Sequence, residues 1–185
     1  TIVSSDIETY KSGLSSLQDG NYDKAVKEFD NLYINHPFSS LAKKSEIMTA
    51  YSLYQNNEIN KSISKLKAFN EMNPKDEFSD YAHYLLAMCY YIQISNQGRD
   101  PSLSLKALNS FKLITTKYPN SKYAKDSKLK IQFIKNTLAL NELNVGKFYL
   151  KKHAPASSIK RFKNITQSLL SYKKWRSLFF LEMIG

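Results

Sequence analysis

Cysteine is nearly missing from these 185 residues: Cys89 stands alone, which excludes an internal disulfide and a cysteine-built zinc cluster. Glycine and proline number five each, too few for a collagen-like, linker-rich or Gly-loop architecture. No run approaches the roughly 18 uncharged apolar residues that a membrane-spanning helix needs. Thr1-Ile2-Val3 opens with neither the basic nor the apolar region of a signal peptide, so the expectation is a soluble chain from which any targeting segment has been removed. Arginine is also scarce: of 27 basic residues only Arg99, Arg161 and Arg176 are Arg. Bidentate recognition of bases and phosphates favours Arg over Lys, so the net charge of +11 does not by itself make a nucleic-acid binder, and no nucleic-acid partner is expected. His36, His83 and His153 lie 47 and 70 residues apart, without metal-type spacing. There is no P-loop and no G-x-S-x-G element. The reading is therefore a protein that is not an enzyme and carries no metal or cofactor.

Aromatic side chains are abundant. Thirteen Tyr and ten Phe, within 42% hydrophobic content, supply large faces for a helical core. The charge is uneven: through Asp126 there are 15 basic against 14 acidic residues, and from 127 to 185 there are 12 against only Glu142 and Glu182. A basic end of this kind can meet phosphates, an anionic membrane surface or an acidic protein.

Internal repetition carries most of the information. Twelve residues before Pro37, Pro74 and Pro119 lie Ala25, Ser62 and Ala107; eight before lie Phe29, Leu66 and Phe111; five before lie Leu32, Phe69 and Ile114. A small residue, then an aromatic or aliphatic four later, then Pro is half of the tetratricopeptide pattern, in which the small residue lets two helices approach and the large one fills the space between them. Ala50 and Ala87 follow the first two prolines by 13 residues, and Gly13 holds the same place in the first unit. Gly20-Asn21 suits a helix C′ position followed by an N-cap. Ser158, Phe162 and Ile165 repeat the spacing once more, but Leu170 stands where a fourth proline is due. The pattern predicts helices over 5–19, 21–35, 39–55, 58–72, 77–94, 101–117, 121–139 and 141–168. A longer loop over 95–101 ends in an Asp N-cap and a Pro at the first helical position. The expected fold is all-α: a tetratricopeptide-repeat solenoid of about four helix pairs over 1–165 (repeats about 5–37, 38–74, 75–119 and 120–168), plus an atypical apolar and basic tail over 166–185 forming an apolar C-terminal helix. Phe29, Leu66, Phe111 and Phe162 are expected to be buried at equivalent places.

Such pairs stack into a superhelix whose concave groove is lined by each pair's first helix. Aligned there, Tyr10, Ile47 and Tyr84 share one position, Leu14, Tyr51 and Met88 the next, and Leu17, Tyr54 and Tyr91 the third. The candidate peptide-binding residues are Tyr10, Leu14, Tyr51, Tyr54, Tyr84 and Tyr91, with Lys43 and Lys44 to attract a terminal carboxylate. The plainer alternative is that the stripe packs between repeats.

Certain runs are more specific than the repeat itself: Gly20-Asn21-Tyr22, His36-Pro37-Phe38, Asn73-Pro74, Arg99-Asp100-Pro101, Tyr118-Pro119-Asn120-Ser121, and Glu142-Leu143-Asn144-Val145-Gly146-Lys147-Phe148-Tyr149. Together, over about residues 8 to 165, they resemble the BamD (ComL) family, tetratricopeptide lipoproteins of the outer-membrane β-barrel assembly machinery. The resemblance implies a non-enzymatic scaffold at the periplasmic face of the outer membrane, held by an N-terminal lipid anchor that lies outside this chain. The implied partners are a barrel-forming subunit of the BamA type, unfolded outer-membrane proteins and accessory lipoproteins. It also implies that Arg161, with Lys160, Lys163, Glu142 and Tyr149 around it, meets an acidic residue on the barrel-forming subunit's last periplasmic domain. After Ile165 the family's Tyr-Pro and fifth repeat are missing, so that repeat is expected to be absent or replaced. Two other readings are an envelope or peptidoglycan-associated tetratricopeptide adaptor and, less favoured, a basic nucleic-acid-binding solenoid.

Overall fold

The computed structural model describes residues 2–94 and 101–169, with side chains over 5–94 and 101–165. Among these residues all regular structure is helical: α1 (Ile2–Gln18), α2 (Tyr22–Asn35), α3 (Ala42–Gln55), α4 (Ile59–Met72), α5 (Ser79–Ile92), α6 (Pro101–Lys117), α7 (Lys122–Lys151) and α8 (Pro155–Leu169). None is long and apolar enough to cross a membrane. Local chemistry sets the ends. Gly20 takes a positive φ of 73°, a conformation that glycine adopts without a Cβ clash. Asn21 then caps α2 by accepting from the Lys24 amide at 3.2 Å. Ser121 caps α7 through the Tyr123 amide at 3.2 Å, and Pro101 and Pro155 each open a helix, where the missing N–H has no intrahelical partner to lose.

Each helix packs on its neighbours in the chain, and the small residues mark the close approaches. Ala25, Ser62 and Ala107 are fully buried, as are Phe29, Leu66 and Phe111. Ser62 satisfies its hydroxyl by donating to the Ala50 carbonyl at 2.7 Å. A Cβ on Gly13 would lie 2.7 Å from Phe29 Cε1, and one on Gly146 would press still closer on Phe162. Phe162 thus occupies the equivalent place but is only half-buried, unlike the other three; it packs with Ala139, Leu143 and Ile165. The Tyr10 ring packs on Phe29 at 5.5 Å.

The units are tied by one recurring contact. Near the start of each first helix a polar side chain reaches the second residue after the next proline: Ser39 donates to Asp6 at 2.5 Å, Lys43 to Asp76 at 2.7 Å and Ser121 to Asp80 at 2.6 Å.

The end of the chain departs from expectation. Instead of helices over 121–139 and 141–168, a single 30-residue α7 runs through Asn141, and α8 begins only at Pro155. The sole Gly or Pro between Pro119 and Pro155 is Gly146, which serves close packing and does not end the helix. The first half of α7 joins the third unit's core through Ile134, against the cluster of Phe111 and Ile114. The second half packs on α8. Continuing the spacing of Ala50 and Ala87 would put a close-approach residue thirteen after Pro119, at Gln132, but the close approach falls at Gly146, sixteen before Phe162 as Gly13 is before Phe29. That displacement is close to four helical turns, so α7 serves two units in succession. The 95–101 loop (apart from Pro101) and the tail from 170 lie outside the described residues.

Candidate binding surfaces

The helix order that stacks first helices side by side also decides which stripe residues stay wet. Tyr10 is 8% exposed and belongs to the core around Phe29, so it is not a groove residue; α2 and the entry to α3 close over it. Ile47 is likewise core. Leu14, Tyr51, Tyr54, Tyr84, Met88 and Tyr91 remain half-buried. Tyr51 and Tyr54 stack at 6.5 Å, and Gln55 donates to the Tyr51 hydroxyl at 2.7 Å. Burial pushes the Tyr54 hydroxyl above its ordinary range, with Cys89 and Tyr51 adding to it, so it stays a neutral donor at physiological pH.

Tyr84 and Tyr91 enter a network that their positions in the sequence do not reveal. The Tyr84 hydroxyl donates to Asp126 at 2.6 Å and its ring stacks on Tyr123 at 4.7 Å. Burial first, and then this bond to a carboxylate, raise the Tyr84 hydroxyl well above the usual phenol value. Lys130 pairs with Asp126 at 3.0 Å and lies 5.4 Å over the Tyr91 ring. Tyr91 meets Phe133 edge-on at 5.9 Å. The aromatic surface therefore continues from α5 onto α7 through Tyr123, Asp126, Lys130 and Phe133. Carrying the proline register one unit further would have found Leu129 and Phe133, which follow Pro119 by the same 10 and 14 residues that separate Tyr84 and Met88 from Pro74.

The two lysines named for a carboxylate are already engaged: Lys43 pairs with Asp76 at 2.7 Å, and Lys44 lies 5.3 Å over the Tyr10 ring. At the other end, Arg161 Nη1 donates to Glu142 Oε1 at 3.0 Å, and the Asn164 amide donates to Glu142 Oε2 at 3.0 Å. Lys160 and Lys163 are exposed beside them, and Tyr149 is half-buried one helical stretch away, with its ring against Phe148. Of the five residues named for this end, Arg161 and Glu142 meet as an α7–α8 ion pair.

Paired helices packed in chain order, with small residues at their close approaches, define a tetratricopeptide-like helical fold. The family model for the outer membrane lipoprotein YfiO matches residues 4–182, and the chain belongs to that family. It is similar to the outer membrane protein assembly factor BamD of Rickettsia prowazekii (strain Madrid E), at 36% identity over 84% of this chain and 62% of the relative. It is also similar to the BamD proteins of Caulobacter vibrioides, at 34% over 85% and 52%, and Neisseria gonorrhoeae, at 29% over 86% and 63%. The chain thus spans roughly half to two thirds of the length of these relatives. The family match extends beyond Ile165, to residue 182.

Proposed function

We propose that this chain is a non-catalytic scaffold of about four tetratricopeptide units in an outer-membrane β-barrel assembly complex, lipid-anchored at the periplasmic face in its full-length form. It holds unfolded barrel substrates along its aromatic groove and docks the barrel-forming subunit through α7 and α8, with accessory lipoproteins as further partners. The observation that carries this reading is the family match over nearly the whole chain. Geometry supplies the means. Leu14, Tyr51, Tyr54, Tyr84 and Tyr91 offer ring faces with polar tips, suited to an extended segment bearing aromatic side chains. With Lys43 and Lys44 engaged, a substrate carboxylate there must share a lysine with Asp76 or with Tyr10. Arg161 with Lys160 and Lys163, steadied by Glu142 and flanked by Tyr149, suits an acidic patch on the barrel-forming subunit.

A photoreactive residue at position 54, irradiated with a C-terminal barrel-protein peptide, is expected to crosslink, and Tyr51→Ala with Tyr91→Ala to reduce the yield severalfold. Labelling confined to the outer surfaces of α2 and α4 would exclude the groove.

A further inference from the structure

In each of the inner units a first helix is covered by the first helix of the next. Ile47, ten residues after Pro37, is 3% exposed and packs in one cluster with Ala82 and Leu85 of α5. Tyr84, ten after Pro74, is half-buried under Tyr123 of α7. Leu129, ten after Pro119, is 65% exposed, and Phe133, one turn on, is 55% exposed. The difference follows from the length of α7: its second-half partner α8 sits four turns further along, and among the described residues no helix takes the place beside Leu129 that α7 takes beside Tyr84.

The open face has a charge pattern. At 100° per residue, Lys122, Lys125, Leu129, Phe133 and Leu140 fall within one sector about 80° wide; all are exposed. The helix carries only two acids, Asp126 and Glu142. Glu142 lies well off this sector and Asp126 about 20° beyond its edge, and both are engaged, Asp126 by Lys130 and Tyr84 and Glu142 by Arg161 and Asn164. The face is therefore apolar at Leu129, Phe133 and Leu140, with Asn136 between the last two, and basic at its N-terminal end, and the acid at its border, Asp126, is already paired.

We propose that this face of α7, formed by Leu129, Phe133 and Leu140 below Lys122 and Lys125, seats an amphipathic helix of a partner protein whose apolar stripe is flanked by acidic residues. A helix is specified because the same positions on α3 and α5 are covered by helices, and acid is specified by charge. Two occupants from this chain itself are disfavoured by sign. Residues 170–185 carry Lys173, Lys174 and Arg176 against Glu182, and a second copy brings a net charge of +11. The seat adjoins the groove through the Tyr91–Phe133 contact, so a helix bound there would border any segment held on the tyrosines.

The test uses the whole 185-residue chain and a fluorescent synthetic helix with Leu at positions i, i+4 and i+11 and Glu at its ends, read by anisotropy. Binding is expected, and Leu129→Asp, or Lys122→Glu with Lys125→Glu, should each weaken it by about tenfold or more at unchanged helicity. The same helix with Lys in place of Glu should not bind. Equal binding of the basic helix, no binding of the acidic one, or indifference to both variants overturns the proposal. Trp175 is the one tryptophan, so a red shift of its emission in the free Leu129→Asp protein would give the face to the chain's own tail. A mass that grows with concentration and reverts in Leu129→Asp would give it to a second copy. Either overturns the proposal, and none of these outcomes bears on crosslinking at position 54.

Discussion

Glu46 is 5% exposed on α3, in a position where its charge has little water to face. Burial is the main cause that raises its carboxyl above the usual range; Lys65 opposes the rise and Asp30 adds to it. Lys65 spends its direct contact elsewhere, 2.8 Å from Asp30. An acid with a raised folded pKa binds its proton more tightly in the native state. Stability is therefore lost as pH climbs from the unfolded value, about 4.3 for Glu, through the folded value, and the loss then stays constant to neutrality. Glu46→Gln removes the charge at equal size. It should raise the melting temperature at pH 7, by about 2–4 °C for each kcal/mol regained in a chain of this length, and the advantage should shrink towards pH 4. Melting curves at the two pH values check this, and a variant less stable at pH 7 would mean that the Lys65 attraction outweighs burial. Other residues behave as their types suggest. Cys89 is fully buried with Ser62 Oγ at 3.5 Å, and burial pushes its thiol up to about 11, so it is a packing residue and no thiolate at neutral pH. The identity of a partner such as Asp126 for Tyr84 was not legible, because the two are 42 residues apart and only the stacking of α5 on α7 brings them together.

Among the elements, the first six helices were legible because punctuation and packing signals agree. A proline closes each of the first three units, Gly20-Asn21 marks a turn, and the small residues fall where the backbones approach. Only one such signal, Pro155, marks the true break near the end, and projecting a fixed repeat length onto 120–168 passes over it. A run of 33 residues, 120–152, without proline and with a single buried glycine has no physical reason to leave the helix, since each further residue adds a hydrogen bond once a helix is nucleated. The continuity of α7 joins the third unit to α8. Proline at Asn141, an exposed position near the middle of the helix, removes one hydrogen bond and clashes with the preceding turn, at about 3 kcal/mol or more. Asn141→Pro should lower the thermal midpoint and raise hydrogen exchange over 141–165 while leaving α1–α5 protected. Uniform protection in that variant would show that α8 is held without α7's continuity. The contacts that Ser39, Lys43 and Ser121 make with Asp6, Asp76 and Asp80 work at this scale too. For Asp76, burial pushes the carboxyl up, but the bonds from Lys43 and the Phe78 amide outweigh it and leave the carboxyl below its usual range.

For the whole molecule the question is how a chain with its excess positive charge at one end would meet the acidic partner proposed above without that charge being neutralised internally. Arg161 is the sharpest case, since it already contacts Glu142. The pair is partly open, at 39% and 28% side-chain exposure, and such pairs contribute only about 0–1 kcal/mol to stability. A guanidinium carries five N–H donors in a planar fork. Glu142 receives one of the Arg161 nitrogens and is itself held by Asn164, so the arrangement orients the fork more than it consumes it. A carboxylate from a partner would bind the same guanidinium in a less hydrated setting, where an interfacial Arg can be worth about 2 kcal/mol or more. Arg161→Glu should accordingly weaken association with the barrel-forming subunit by about thirtyfold, the ratio equivalent to 2 kcal/mol. The new carboxylate opposite Glu142 costs no more than a surface pair would, so helicity should hold and melting should fall by a few degrees at most. Glu142→Gln separates orientation from charge: it keeps an acceptor for Arg161 and removes the competing anion, so affinity should stay level or rise. Titration of the immobilised periplasmic domains of the barrel-forming subunit with each variant measures both. Unchanged affinity in a well-folded Arg161→Glu protein would move the contact away from α8. A loss in Glu142→Gln as large as that in Arg161→Glu would show that the acidic partner of this arginine is Glu142 itself, and that the pair serves only to hold α8 on α7.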